Sequence, residues 1–190
     1  MADSLPPVTV RVADDRDLPV LARLRWQWVA ERTGTPLDSG ADGGAFERAF
    51  EAWWRAELPR RTFWLAEAGT DRSGYTAVGS LNVVEIGNMP RPGGRPGRWG
   101  YVSNAFVMAP YAERGVAPAL LTAAMEQAKA RRYQRLVLRP APSSAAFYLR
   151  HGFVSAGEGM LVLVLNAEVG AERSADPGAR RRARADAERI

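Results

Sequence analysis

Residues 112–118 read Ala-Glu-Arg-Gly-Val-Ala-Pro, and their types suit one kind of chemistry. Gly115 and Ala117 are small, so backbone can come close to a ligand, and the free N–H groups of a helix's first turn attract an anion. The same residues serve equally in a strand–turn–helix unit whose glycine only turns the chain. Other polar groups could handle protons. Glu85 ends one expected strand, and Ser103 and Asn104 lie on the next. A carboxylate can accept a proton. Asn104 cannot act as a base, so its part would be to orient a water or an amine. His151 is the one histidine, with an intrinsic pKa suited to acid–base work. One histidine rules out a multi-histidine metal site. The absence of cysteine rules out disulfides, Cys–zinc sites and thiol nucleophiles.

These groups need a frame, and the hydrophobic pattern predicts one. Thr9 to Val12 alternates as a first strand. Asp14 or Asp15 can cap the following helix, whose buried stripe is Leu18, Leu21, Leu24 and Trp28. A polar, glycine-rich loop runs from Gly34 to Gly44. A second helix follows from about Ala45 to Leu58, with Phe46, Phe50, Trp53 and Trp54 at helical spacing, and Pro59 stops it. Phe63 to Glu67 and Tyr75 to Ile86 form an antiparallel pair around a turn at Thr70 to Gly74. The segment Gly87 to Gly97 is too dense in Gly and Pro for regular structure and brings Arg91, Arg95 and the adjacent Arg98 together, as a lid, a basic contact surface or a flexible hairpin loop.

Tyr101 to Val107 is apolar and β-prone, and Pro110 ends it. Gly115 opens a helix with Leu120, Leu121, Ala124 and Ala128 on one face. Lys129, Arg131 and Arg132 lie near its C-terminus, where cations suit the helix dipole. Leu136 to Leu138 is a short buried-type strand. Ser143 begins another helix, ending near Gly152, and Met160 to Leu165 is a last buried strand. From about Ala167 the composition turns to Ala, Arg, Asp and Glu, which predicts a disordered or marginally helical tail.

With 190 residues and 46% hydrophobic content, the chain suits one domain with a real core. No apolar run approaches a membrane span, and the N-terminus lacks the pattern of a signal peptide, so a cytoplasmic protein is expected. A net charge of +5 favours acidic partners. The arginine-rich tail has no interleaved aromatics, which argues against a nucleic-acid arm.

The order of elements, Pro110 just before the turn, and Phe147-Tyr148-x-x-x-Gly152-Phe153 together make the chain resemble the GNAT superfamily of N-acyltransferases. The likeness is good from Trp99 to Phe153 and looser from Val8 to Val84. The family's turn motif is Gln/Arg-x-x-Gly-x-Gly/Ala. Here Gly115 and Ala117 match, while Ala112 replaces the leading polar residue and Ala141 stands where many members carry Asn.

The resemblance implies an α/β fold: a mixed, mostly antiparallel twisted sheet, helices on both faces, and a V-shaped splay between strands four and five. It implies an acyltransferase domain over residues 1–166, with the tail at 167–190. The reaction implied is direct transfer of an acyl group from a phosphopantetheine thioester to a primary amine, with no metal and no covalent nucleophile. The pantetheine arm would meet the backbone of Phe106, Val107 and Met108, with the Val107 N–H at the thioester carbonyl. The donor's phosphates would meet Glu113, Arg114, Gly115, Val116, Ala117 and Pro118, with Ser143 a further donor contact. Tyr148 matches the usual general acid, while His151 falls where the family commonly shows a surface residue. The donor is either acyl-CoA or the phosphopantetheine of an acidic acyl carrier protein, because Ala112 and Ala141 remove groups that hold the donor. The acceptor is a small-molecule amine walled in by the Trp-rich helices, and a homodimer is allowed. A non-catalytic binding module and an aminoacyl-tRNA-dependent transferase are the alternatives.

Overall fold

The computed structural model describes residues 6–34, 43–70, 72, 74–94 and 96–155. The expected strand Met160–Leu165 and the tail from Ala167 lie outside the described residues. Two compact units divide the chain, Met1–Pro140 and Ala141–Ile190.

In the first unit, alternating β-branched and aromatic residues build five strands: β1 (Val8–Val12), β2 (Arg61–Thr70), β3 (Gly74–Gly87), β4 (Arg98–Val107) and β5 (Leu136–Val137). They lie in the order β1-β2-β3-β4-β5. Every neighbouring pair is antiparallel except β4 and β5, which are parallel. The α-helices are α1 (Leu18–Thr33), α2 (Gly43–Glu57) and α3 (Val116–Ala130). The parallel β4–β5 pair needs a crossover, and α3 supplies it.

Side chains alternate across a strand, so each sheet face has its own packing partner. Phe63 and Leu65 of β2 join Leu21, Ala22 and Leu24 of α1 and Phe50 and Trp54 of α2 in one core. The intervening Thr62, Trp64 and Ala66 face the other way, where the Gln127 side chain of α3 bonds the Thr62 hydroxyl at 3.2 Å. Helices therefore cover both faces. Gly79 of β3 lies on the α3 side. A Cβ there would sit 2.8 Å from the Phe106 carbonyl oxygen and 3.3 Å from Val116, so glycine lets β4 and α3 close on β3.

Polar side chains fix how the helices enter. Of the two expected caps, Asp14 does the work: it accepts from the Arg16 N–H while Asp17 accepts from the Asp14 N–H at 2.8 Å, a reciprocal cap on the single turn before α1. Asp15 instead accepts from the Trp54 indole N–H at 2.9 Å, which pins α2 to the start of α1. Arg11 of β1 donates twice to Asp17, both at 2.7 Å, and twice to Glu67 of β2, at 2.7 and 2.8 Å. Those bonds hold the Asp17 carboxyl below its ordinary pKa, chiefly through Arg11.

In the second unit a 3-10 turn (Pro142–Ser144) leads into a short helix, α4 (Ala145–Arg150). Phe147 meets Tyr148 edge-on, with ring centroids 5.0 Å apart, and Phe153 does the same at 5.7 Å. No helix among the described residues is long and apolar enough to cross a membrane.

Two outcomes follow for stability. Trp54 is 1% exposed, so Trp54→Ala removes a full core side chain. It should cost about 3–5 kcal/mol in urea unfolding. The depressed Asp17 pKa stabilises the fold above the unfolded carboxylate range, and that stability is lost as pH falls through the folded value. Urea midpoints should be flat above about pH 4.5 and drop below it. Asp17→Asn should make that drop shallower.

Candidate active site

The site begins with an extra residue in β4. Asn82 of β3 pairs with Ser103, yet Ser80 pairs with Phe106, so Leu81 faces both Asn104 and Ala105. This is a β-bulge, and it re-aims side chains. Asn104 takes a left-handed backbone with φ 50, which Asn tolerates better than most residues. The bulge turns Phe106 to the same sheet face as Ser103, the face covered by α1 and α2.

Already before the bulge, the outer edge of β4 loses its partner among the described residues. β4 pairs with β5 only at Gly100–Leu136 and Tyr101–Val137, so the two strands part after Tyr101. The Met108 N–H donates inward to the Val78 carbonyl at 2.8 Å. By alternation, the N–H and C=O of Val107 point outward, toward the side where β5 has ended.

After β4, a 3-10 turn (Ala109–Tyr111) and the exposed residues Ala112 to Gly115 lead to α3. Glu113 and Gly115 both have left-handed backbones, φ 64 and 76. The first bond at the helix start runs from the Ala119 N–H to the Gly115 carbonyl at 3.0 Å. The N–H groups of Val116 and Ala117 therefore have no partner within the helix, and Pro118 has no N–H to satisfy.

On the α1–α2 face of the sheet lies a cavity of about 260 Å³. Its apolar wall includes Trp28, Phe46, Phe50, Trp53, Phe63 and Phe106. Its polar groups are Arg25, Ser80, Asn82 and Asn104. The Arg25 guanidinium lies 4.2 Å from the Trp28 ring centre and donates to the Asn104 Oδ1 at 3.3 Å. Behind the wall, Arg61 donates to the Asn82 Oδ1 at 2.7 Å and to the Glu57 carboxylate at 2.8 Å. The Ser103 hydroxyl donates to the same Asn82 oxygen at 2.8 Å. Arg60 and then Arg61 hold the Glu57 carboxyl below its usual range through these hydrogen bonds. Among the described residues no cluster of His, Cys, Asp or Glu could hold a metal ion.

The structure gathers some of the expected residues and separates others. Phe106, Val107 and Met108 follow the bulge in sequence, and Asn104 forms it and lines the cavity. Glu113, Arg114, Gly115, Val116, Ala117 and Pro118 make the turn and first turn of α3. Glu85 does not join the cavity. It stands three positions after Asn82, on the opposite sheet face, where it accepts from the Tyr133 hydroxyl at 2.7 Å and from Arg98 at 3.1 Å, with Arg131 at 3.8 Å. Tyr148 and Ser143 belong to the second unit. Burial raises the Tyr148 phenol above its ordinary pKa, and Ser143 is exposed in its turn. The His151 Nδ1 bonds the Phe147 carbonyl at 2.8 Å, which engages that ring locally.

Sequence reasoning missed Arg25, Arg61, Ser80 and Asn82. Ser80 and Asn82 carried a signal: two polar residues at i and i+2 within an apolar strand share one face.

Residues 24–153 match the model of the acetyltransferase (GNAT) family, and the chain belongs to that family. It is thereby an acyltransferase by class. No curated protein sequence matches the chain. Among solved structures it is similar to a "predicted acetyltransferase with acetyl-CoA" from Clostridium acetobutylicum, at 20% identity and TM-score 0.64, over 84% of this chain and 97% of that one. It is similar to a GCN5-related N-acetyltransferase from Ralstonia eutropha JMP134, at 21% identity and TM-score 0.62, over 84% of this chain and all 100% of that one. A third is glucosamine-6-phosphate N-acetyltransferase from Arabidopsis thaliana, at 13% identity and TM-score 0.58, over 84% and 99% of the two chains.

The bulge has a direct test. Asn104→Val forces a β-branched residue into the left-handed region and should lower unfolding free energy by about 1–2 kcal/mol. Asn104→Gly should be tolerated. Thermal unfolding of the two variants side by side distinguishes backbone strain from loss of the side chain.

Proposed function

We propose that the protein transfers an acyl group from a phosphopantetheine thioester, with acyl-CoA the favoured donor, to the primary amine of a small molecule. The observation that carries this reading is the early end of the β4–β5 ladder. It leaves the Val107 N–H directed outward on a strand whose other residues line an aromatic cavity. A pantetheine arm is an extended, amide-bearing chain, and an unpaired strand edge offers what such a chain can bond.

In this reading Phe106, Val107 and Met108 hold the arm through the backbone, and the Val107 N–H stabilises the oxyanion that forms as the amine attacks. The Val116 and Ala117 N–H groups receive a phosphate, with Arg114 and the backbone of Glu113 and Gly115 around it. The amine nitrogen forms the new C–N bond, the C–S bond breaks, and the thiolate takes a proton. By its place in the motif, Tyr148 gives that proton and Ser143 lies on the donor side. Asn104 orients the amine or a water that removes the amine's proton. Glu85, already bonded to Tyr133 and Arg98, drops out of the role of base.

A carrier-protein donor is the second reading. Ala112 supports it, since it offers no side chain to the nucleotide half of CoA, and the net charge of +5 suits an acidic protein.

Acetyl-CoA should bind in calorimetry. Tyr148→Phe should leave that binding intact and lower kcat by about 10²–10⁴-fold. Burial keeps the phenol protonated beyond its ordinary pKa of 10.0, so the alkaline fall in rate due to loss of this acid should come above about pH 10. Unchanged turnover in Tyr148→Phe would remove the assigned acid. Absence of acetyl-CoA binding would turn the search to acyl carrier proteins.

A further inference from the structure

Asn82 sits in the middle of β3, is 1% exposed and lines the cavity. Its amide orientation is not arbitrary. Arg61 has donors only, so the atom 2.7 Å from its Nη1 must be the acceptor, Oδ1. Ser103 donates to that same oxygen at 2.8 Å. The Arg61 guanidinium is itself fixed by Glu57, with both side chains 12% exposed, and lies 5.0 Å from the Trp53 ring centre. Two donors thus lock the Asn82 oxygen, and the amide nitrogen is committed to the other direction. That Nδ2 is buried and has no hydrogen-bond partner among the described residues.

A buried amide N–H₂ without a partner is costly, so on a residue of the cavity wall it favours an incoming acceptor atom. The other polar groups on the wall sharpen the choice. Arg25 is cationic, Ser80 can donate, and no Asp or Glu is among the described lining residues. Apart from Asn104, the rest of the described wall is aromatic and aliphatic. The volume of about 260 Å³ falls just below the ~300–1,000 Å³ of sites for drug-sized ligands, which suits a molecule of amino-acid size.

We infer that Asn82 is a specificity-determining residue for the acceptor, donating from Nδ2 to a carboxyl or carboxamide oxygen of an amine with an apolar or aromatic body. This rests on the acyl-transfer reading for the identity of the bound molecule as acceptor, but the contact is testable apart from turnover. The Glu57–Arg61–Ser103 network acts through Asn82 by holding its amide in the donating orientation.

The test uses three probes of one shape: L-phenylalanine, L-phenylalaninamide and 2-phenylethylamine, which lacks the oxygen. Binding is read by quenching of tryptophan fluorescence, since Trp28 and Trp53 line the cavity. Wild type should bind one or both oxygen-bearing probes about 10- to 100-fold more tightly than 2-phenylethylamine. Preference for the acid over the amide would assign a share to Arg25's charge, and parity would assign the contact to the amide alone. Asn82→Asp keeps an oxygen for Arg61 and Ser103 and removes the donor, so it should abolish the preference. Equal binding of all three probes to wild type would overturn the proposal without any variant, and so would a preference that survives in Asn82→Asp. With acetyl-CoA as donor, the same preference should appear in KM. Selective binding with no turnover would uphold the Asn82 contact and sink the acetyl-CoA form of the acyl-transfer reading. Turnover without selectivity would do the reverse.

Discussion

Every buried backbone N–H and C=O needs a partner, and along the outer edge of β4 the described strands stop supplying them after Tyr101. On the inner edge β4 stays bonded to β3 as far as Met108. Among the described residues one strand is thus held firmly on one side and left open on the other. The parallel partner arrives only through α3, and its strand is two residues long. The geometry that lets a pantetheine arm lie along β4, in the proposed reaction, comes from that shortfall of pairing rather than from any special side chain.

The bulge makes the open edge and the cavity parts of one arrangement. Without the extra residue, Ser103 and Phe106 would point to opposite faces. With it, Ser103 reaches Asn82 and Phe106 closes the cavity on the same face. Four of the wall's rings belong to a longer chain that starts at Trp26. Trp26, Phe46, Phe50, Trp53 and Phe63 follow one another with centroids 5.2 to 6.0 Å apart, linking α1, α2 and β2. Two arginines lie over rings at its margin, Arg25 over Trp28 and Arg61 over Trp53. Aromatic faces attract such cations, so each guanidinium is held by its ring as well as by hydrogen bonds.

Likeness to solved structures at this level of identity speaks to the fold, and a fold can host many reactions. The family assignment adds the class of chemistry. Within that class, this chain's cavity holds rings, donors and one arginine, with no carboxylate among the described lining residues.

Much of this was legible in one dimension. Period-two and period-3.6 patterns located the described strands and helices of the first unit because burial of one face imposes those periods on any chain. Gly115 and Pro118 marked the start of α3 because left-handed backbone and a missing N–H are local properties. The donor-binding roles of the turn and of Val107's strand came instead from the resemblance to the family's motif. Glu85 and Asn82 show where the sequence falls silent. Both are polar residues of one strand, three positions apart. Pairing and alternation put Glu85 beside Tyr133 and Arg98 on one face and Asn82 in the cavity on the other. The bulge at Asn104 and the orientation of the Asn82 amide depend on which residue of β4 meets which residue of β3, and on Arg61 arriving from β2. Those are contacts between residues far apart in the chain, and only the tertiary structure sets them.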